Sequence, residues 1–161
     1  MIVRKSLLFA AVLAIAAETL GADRPSVEVS GPTGTRQLTV AEIATLPRAK
    51  VTISDHGTNA TFEGTPLAKV LALVGAPSGE KLRGGELAKC VLIEGADGYR
   101  VVFALPELDA TFADRAILLA DTRDGKPLSE AEGPLRIIVE GEKKQARCVR
   151  QVSRIRIGSV P

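Results

Sequence analysis

A polar loop between two apolar segments holds the residues with the clearest chemical potential. The segment Val51–Gly64 reads as a strand, a loop and a second strand, and the loop carries Asp55, Asn59 and His56, the single histidine of the chain. A carboxylate beside an imidazole can hydrogen-bond the amide edge of a flat heterocycle. The alternative is that Asp55 caps the turn at Gly57 and that His56 is solvated. A histidine without a cysteine or histidine neighbour in sequence is a weak signal for a metal site.

A second pair of candidates, Tyr99 and Arg100, follows a predicted hairpin turn at Asp97-Gly98. An aromatic ring can stack on a flat ligand, and a guanidinium can pair with a ligand oxygen. The alternative is an ordinary cross-strand aromatic residue followed by an exposed charge. The residue types alone leave both roles open.

The third group is a basic run after Gly141 that contains Lys143, Lys144, Arg147 and Arg150. Arg147 and Arg150 are three residues apart, so on a helical turn they would share a face and could converge on a phosphate or carboxylate. The alternative is a solvated charged surface. A ligand role for this segment would make it an anion site.

The charge distribution fits a local anion site better than a nucleic-acid surface. The net charge is only +2, but residues 133–161 carry seven Lys or Arg against two Glu. The chain has no tryptophan, one tyrosine and four phenylalanines, which is poor material for stacking on bases. We therefore expect no nucleic-acid partner.

The N-terminus reads as an export signal. Arg4 and Lys5 precede the apolar run Leu7–Ala17, and small residues follow. The run is about half of the roughly 20 residues that a membrane-spanning helix needs. We predict a signal peptide over residues 1–22, a single domain over residues 23–161 and a periplasmic location. The alternative is a retained N-terminal anchor.

Two cysteines and one arginine are expected to serve the structure rather than catalysis. Cys90 and Cys148 are too few and too far apart for a zinc site. In an exported protein they can form a disulfide or remain buried free thiols, and their spacing leaves both open. Arg136, inside an apolar strand, is predicted to be a paired structural arginine.

Nucleophilic hydrolysis is not indicated, because the chain has no Gly-x-Ser-x-Gly and no evident serine partner for His56.

The periodicity of apolar residues predicts many short strands and few helices. A capping-box spacing from Thr39 to Glu42 predicts a short helix ending near Leu46, and Thr65 is predicted to cap a helix over Pro66–Val74. Alternation or continuous apolar runs predict the strands Val27–Ser30, Arg36–Leu38, Val51–Ile53, Ala60–Glu63, Cys90–Glu94, Tyr99–Ala104, Ala116–Asp121, Leu135–Val139 and Arg154–Ile157. The pattern indicates an α+β domain.

Three stretches, in this order, resemble the sulfite-oxidase-like molybdopterin-binding domains. They are DHGTNATFEGTPLAKVLALVGAP, EGADGYRVVFALPELD and DTRDGKPLSEAEGPLRIIVEGEKKQARCVRQVSRIRI. The resemblance implies that fold, with mixed β-sheets and a few short helices. It also implies a family whose enzymes hold molybdenum on a pterin dithiolene and one protein cysteine.

The sequence departs from the family at that cysteine. The loop that carries it in the family reads Ser54-Asp55-His56-Gly57 here, and neither Cys90 nor Cys148 matches its position. A small group of secreted proteins of this fold lacks the same cysteine, and some of them bind pterins and report to a membrane-bound signalling partner.

The resemblance therefore implies a pterin- or molybdopterin-type ligand, without molybdenum or redox catalysis. The ligand would lie between the loop (Asp55, His56, Asn59), the hairpin (Tyr99, Arg100) and the basic segment (Lys144, Arg147, Arg150). The alternatives are a molybdenum-dependent oxidoreductase and a ligand-free protein-interaction module.

Overall fold

The structure, a computed structural model, describes residues 25–159. The predicted signal peptide therefore lies outside the described residues. In chain order, the strands of the described part are β1 (Ser26–Gly31), β2 (Gly34–Thr39), β3 (Ala49–Asp55), β4 (Thr58–Pro66), β5 (Lys89–Gly95), β6 (Arg100–Ala104), β7 (Ile117–Arg123), β8 (Lys126–Pro127), β9 (Arg136–Val139) and β10 (Val152–Ser159). The helices there are α1 (Val40–Ala44) and α2 (Leu67–Ala72), with 3₁₀ turns at Gly79–Lys81, Gly84–Ala88, Leu105–Leu108 and Gln145–Arg147.

The first sheet has the strand order β2-β1-β10-β5-β6. The last strand, β10, is its centre: it runs parallel to β1 and antiparallel to β5. On the outer face, alternating charges cross the sheet as a ladder from Arg100 through Glu94 and Arg154 to Glu28. One face of this sheet is therefore polar along that row.

The second sheet has the order β3-β4-β7-β8, and β9 also pairs with β7. Strands β7 and β9 are buried on both faces, as their continuous apolar runs predict. Leu119 and Ile137 face the large core shared with the first sheet, whereas Leu118 and Ile138 face a smaller core that contains Phe62.

The two predicted helices have different outcomes. Thr39 caps α1 as expected: its Oγ1 accepts from the N–H of Glu42 at 3.2 Å, and Glu42 accepts from the N–H of Thr39 at 2.7 Å. The prediction that Thr65 caps α2 is wrong, because Thr65 and Pro66 still belong to β4 and the Thr65 hydroxyl donates to the carbonyl of Ile43 instead. Pairing with β7 outweighs the local capping pattern, so α2 begins only at Leu67.

The predicted hairpins are confirmed. The tip Asp97-Gly98 joins β5 to β6, and Asp124-Gly125 joins β7 to β8 with φ of 48° and 75°. Two left-handed residues in succession are the geometry of a tight hairpin turn. Among the described residues, no helix has the length and apolar character needed to cross a membrane.

Candidate functional site

The three segments predicted to carry chemistry meet around one cleft of about 380 Å³. Its polar lining comes from the β3–β4 turn, the β5–β6 tip, the closing segment 145–150 and β9, and consists of His56, Asp97, Arg136, Gln145 and Arg150. The rest of the lining is aromatic or apolar and consists of Tyr99, Ala146, Cys148 and Val149. One side of the cleft is therefore less polar than the rest, and the remaining lining residues offer several hydrogen-bonding groups.

His56 is presented by a tight turn. Asp55 pairs with Thr58 in the β3–β4 ladder, so His56 and Gly57 form the two-residue connection, with φ of 50° and 84°. The imidazole is 76% exposed. Nη2 of Arg150 lies 3.1 Å from Nε2 of His56, which requires Nε2 to be the unprotonated acceptor. This contact joins the turn to the closing segment.

Asp55 lies beneath the cleft and is not among its lining residues. It is 3% exposed, and its oxygens bind Nη2 of Arg136 at 3.2 Å and Nη1 of Arg123 at 2.8 Å. Glu132 holds the same two guanidinium groups from the other side. Burial would raise the pKa of Asp55, but the hydrogen bonds and charge of Arg136 and the charge of Arg123 outweigh it and hold the pKa below its usual range. The carboxylate is thus held by structural partners and does not line the cleft, and it accepts no hydrogen bond from the turn residues in the described part of the chain.

Arg136 is the paired structural arginine that its position in an apolar strand predicts. Its guanidinium also lies over the ring of Phe62, at 5.0 Å from the centroid, and donates to Gln145 Oε1 at 3.2 Å. This side chain also lines the cleft, a role that the apolar strand pattern did not indicate. Its Nε is buried without a hydrogen-bond partner in the described structure.

Of the hairpin pair, only Tyr99 faces the cleft. Its hydroxyl donates to the carbonyl of Ala146 at 2.8 Å, which ties the β5–β6 tip to the closing segment. Arg100 is not among the lining residues, because it lies on the outer face of the first sheet beside Glu94, at 3.7 Å. Asn59 is exposed on β4 and also lies outside the lining.

The structure does not bring Arg147 and Arg150 together at the cleft. Arg147 turns away from the cleft, binds Glu142 at 2.6 Å and Glu107 at 3.2 Å, and lies 4.6 Å from the centroid of the Phe103 ring. The hydrogen bond with Glu142 raises the pKa of Arg147 and lowers that of Glu142. Because these carboxylates already bind the guanidinium of Arg147, only Arg150 of the two lines the cleft.

A second cleft, of about 360 Å³, adjoins the first. His56 and Gln145 line both clefts, so the two spaces share a wall. Lys143 and Lys144 line the second cleft and are exposed. Lys144, predicted to contact the ligand, therefore belongs to the second cleft rather than the first.

Cys148 lines the first cleft, although no sequence pattern assigned it there. It is a free thiol with 6% exposure, and burial raises its pKa. Cys90, on β5, is also a free thiol. No group of three or more His, Cys, Asp or Glu able to hold a metal ion occurs within residues 25–159.

Gln145 is another cleft residue that no sequence pattern indicated. Its side-chain amide donates to the carbonyl of Ser54 and its Oε1 accepts from Arg136, so it joins the β3–β4 hairpin to β9 and the closing segment. A glutamine inside a basic run carries no distinctive pattern. Its position between Lys144 and Ala146 in a predicted ligand-binding segment was the only available signal.

Comparison with known proteins identifies the family. The family described as "Oxidoreductase molybdopterin binding domain" matches residues 16–161. The crystal structure of the sulfane dehydrogenase SoxCD from Paracoccus pantotrophus is similar, with a TM-score of 0.62 and 20% identity over 84% of this chain. The match spans only 39% of the SoxCD chain, and a search of curated proteins finds no match. The structural similarity confirms the predicted fold, and the chain belongs to the oxidoreductase molybdopterin-binding domain family.

Proposed function

We propose that this domain binds a pterin-type molecule in the first cleft and does not carry out redox chemistry. The observation that carries the proposal is the combination of a formed cleft with the position of Asp55. The segment Ser54–Gly57, which resembles the one that supplies the metal-binding cysteine in the family, here ends β3 with Asp55, a carboxylate already held by two arginines. A ligand site is retained while the expected metal donor is replaced.

The donor atoms at this loop do not suit molybdenum. Soft thiolate is the ligand type for such a redox metal, and a carboxylate is a hard donor. Asp55 would have to leave Arg136 and Arg123 to reach a metal, which would deprive the buried guanidinium of Arg136 of one of its counter-charges. The residues at this position therefore do not suit a molybdenum ion.

The cleft suits the organic ring of a pterin better. Tyr99 offers an aromatic surface beside Ala146 and Val149, and flat rings gain from such contact. Gln145 and Asp97 can accept hydrogen bonds from the amino and ring N–H groups, and Arg150 can donate to a ring carbonyl oxygen. A volume of about 380 Å³ lies within the range of about 300–1,000 Å³ for small-molecule sites.

Isothermal titration tests the proposal with dihydroneopterin and with molybdopterin. We expect heat with at least one of them, and a loss of at least tenfold in affinity in Tyr99→Ala. The matched control is Phe112→Ala, which removes an exposed aromatic side chain that lines none of the clefts described here. Absence of binding to either compound by folded protein would reject the proposal.

A molybdenum-dependent oxidoreductase is the second candidate, and the position of Cys148 favours it. This thiol lies in the wall of the first cleft, although its raised pKa keeps it protonated near neutral pH. Elemental analysis of protein produced in molybdenum-sufficient cells decides between the candidates. Molybdenum that is present in the native protein and lost in Cys148→Ser would support this candidate, and metal-free native protein would end it.

We also propose that the protein is exported to the periplasm and reports ligand binding to a membrane-bound partner. The N-terminal pattern of residues 1–22 supports export, and the resemblance to small secreted proteins of this fold supports the partner. The intact mass of protein from the periplasmic fraction should correspond to a start near residue 23. Co-purification of a membrane protein should change when dihydroneopterin is added, and capture independent of the pterin would contradict the reporting role.

A further inference from the structure

Strand β6 is an edge of the first sheet, and β5 is its only partner among the described strands. The turn before β6 is closed by a hydrogen bond from the N–H of Gly95 to the carbonyl of Tyr99, and the register with β5 is regular from that point. Hydrogen-bonded pairs alternate along an antiparallel ladder, so every second residue of β6 directs its N–H and C=O groups away from β5. These residues are Arg100, Val102 and Ala104.

The free side of β6 is open to a further strand. The N–H of Ala104 is bound by the side chain of Glu107 at 2.9 Å. The N–H and C=O groups of Arg100 and Val102 have no hydrogen-bond partner within residues 25–159. Lysine and proline discourage pairing at other edges, where Lys50 lies on β3 and Pro127 on β8, but β6 contains neither residue type.

The charge ladder on the outer face of the first sheet ends at this edge. Inside the ladder each charge has opposite charges on both sides: Glu94 lies between Arg100 and Arg154. Arg100 has a carboxylate on one side only, at 3.7 Å, and its side chain is 64% exposed. Val102, two residues further along the same face, is 53% exposed. An added strand would continue this surface with a carboxylate opposite Arg100 and an apolar side chain opposite Val102.

A second copy of this chain fits the edge poorly. In a symmetric antiparallel pair of β6 strands, Arg100 can lie opposite Arg100, Val102 or Ala104 of the other copy. The first register places like charges directly opposite each other, and the second places a charge opposite an apolar side chain. The third needs the N–H of Ala104, which Glu107 already binds. The free charge at the end of the ladder therefore favours a strand from a different protein.

We propose that β6 is a docking edge for an extended segment of a partner protein, which adds as a further strand to the first sheet. The segment carries a carboxylate opposite Arg100 and an apolar side chain two residues away, opposite Val102. Main-chain hydrogen bonds to Arg100 and Val102 supply affinity, and the two side chains supply selectivity. The inference needs no ligand in the first cleft, so its test is independent of the pterin proposal.

Two synthetic peptides test the inference. The first is Thr-Val-Thr-Glu-Thr-Val-Thr with blocked ends, and the second has lysine in place of the glutamate. A valine lies two residues from the charge on both sides, so either strand direction places a valine opposite Val102. Titration of the full chain, followed through its backbone amide signals by NMR, gives the affinity and the location. We expect the Glu peptide to shift the amides of Arg100 and Val102 and to bind at least fivefold more tightly than the Lys peptide.

Charge reversal is the matched test of selectivity. Arg100→Glu should reverse the preference, so that the Lys peptide binds more tightly by at least threefold. Arg36→Glu makes the same change on β2, the opposite edge of the same sheet, and should retain the preference for the Glu peptide.

Backbone pairing is tested by Val102→Pro. Proline is tolerated on an edge strand where the lost N–H points away from the sheet, so the fold should remain and the affinity for the Glu peptide should fall at least fivefold. Urea unfolding checks the fold of each variant, and Arg100→Glu decides the question if Val102→Pro does not fold.

Four results would overturn the inference. They are the absence of shifts at the β6 amides with millimolar Glu peptide, equal affinities for the two peptides, an unchanged preference in Arg100→Glu, and undiminished binding by folded Val102→Pro. A dimer of the peptide-free protein that Val102→Pro dissociates in sedimentation velocity would also overturn it, because the edge would then bind a second copy.

Discussion

The buried carboxylate of Asp55 faces two guanidinium groups, and Asp55→Asn removes its charge while nearly preserving its shape. In the native protein, Asp55 and Glu132 together balance Arg123 and Arg136. In the variant, Glu132 is the one carboxylate left within 4 Å of Arg136, whose side chain is 1% exposed, whereas Arg123 keeps both Glu132 and Asp124. The buried guanidinium of Arg136 therefore loses one of its two counter-charges.

We expect Asp55→Asn to lower the free energy of unfolding by about 3 kcal/mol. Breaking a buried ion pair on one side costs about 3–5 kcal/mol. The lower end applies here because the Arg123 side chain is 31% exposed and keeps contact with water. Such a loss is a large fraction of the roughly 5–15 kcal/mol that stabilises a typical domain.

Urea unfolding at pH 7 measures the change through the transition midpoint, with an unchanged slope showing that the unfolded state is unaffected. The matched control is Glu94→Gln, which removes a carboxylate from the exposed ladder beside Arg100 and Arg154. We expect this control to cost no more than about 1 kcal/mol. If Asp55→Asn costs no more than Glu94→Gln, the reasoning about the buried pair is refuted.

The pH dependence gives a second measurement on the same variant. The pKa of Asp55 is lower in the folded protein than in the unfolded chain, where an aspartate has a pKa of about 3.9. The stability from its charge is therefore fully present above that value and is lost as the pH falls through the folded pKa. The difference in the free energy of unfolding between wild type and Asp55→Asn should be largest near pH 7 and should shrink below about pH 4. A constant difference down to pH 2 would contradict this assignment.

Three further predictions concern the cleft and the fold. Alkylation of Cys148 by iodoacetamide should have a pH midpoint above the roughly 8.5 of a free cysteine, because burial raises its pKa; a midpoint below 8 would contradict this. Gly64→Ala should destabilise the protein by about 3 kcal/mol in urea unfolding, because a Cβ would lie 2.2 Å from the carbonyl oxygen of Leu119; a neutral effect would show that the β4–β7 contact is looser. Thr39→Ala should cost about 1 kcal/mol through loss of the α1 cap, and Thr39→Ser should restore most of it.

The sequence predicted the strands better than the site, because strand signals are local. Apolar alternation and Asp-Gly turns depend on neighbouring residues, and they located the hairpins around Asp97 and Asp124 correctly. The Thr65-Pro66 pattern is equally local, yet pairing of β4 with β7 gave those residues a different structure. Local patterns failed where a distant strand provided the backbone partners.

The roles of the charged residues depended on partners far away in sequence. Asp55 is held by Arg136, 81 residues later, and Arg147 is held in part by Glu107, 40 residues earlier. No spacing rule connects such distant positions. The sequence therefore did not reveal that the Asp55 carboxylate and the Arg147 guanidinium are already paired.

The central position of β10 governs when the first sheet can form. On one side it pairs with β1, where Arg154 meets Glu28 from 126 residues earlier, and on the other side with β5. Contacts so distant in sequence slow folding, because a long loop must close before they form. Without β10, the hairpins β1–β2 and β5–β6 have no strand in common. An isolated two-stranded hairpin is marginally stable in water, so the first sheet assembles only once β10 is available to pair with both hairpins.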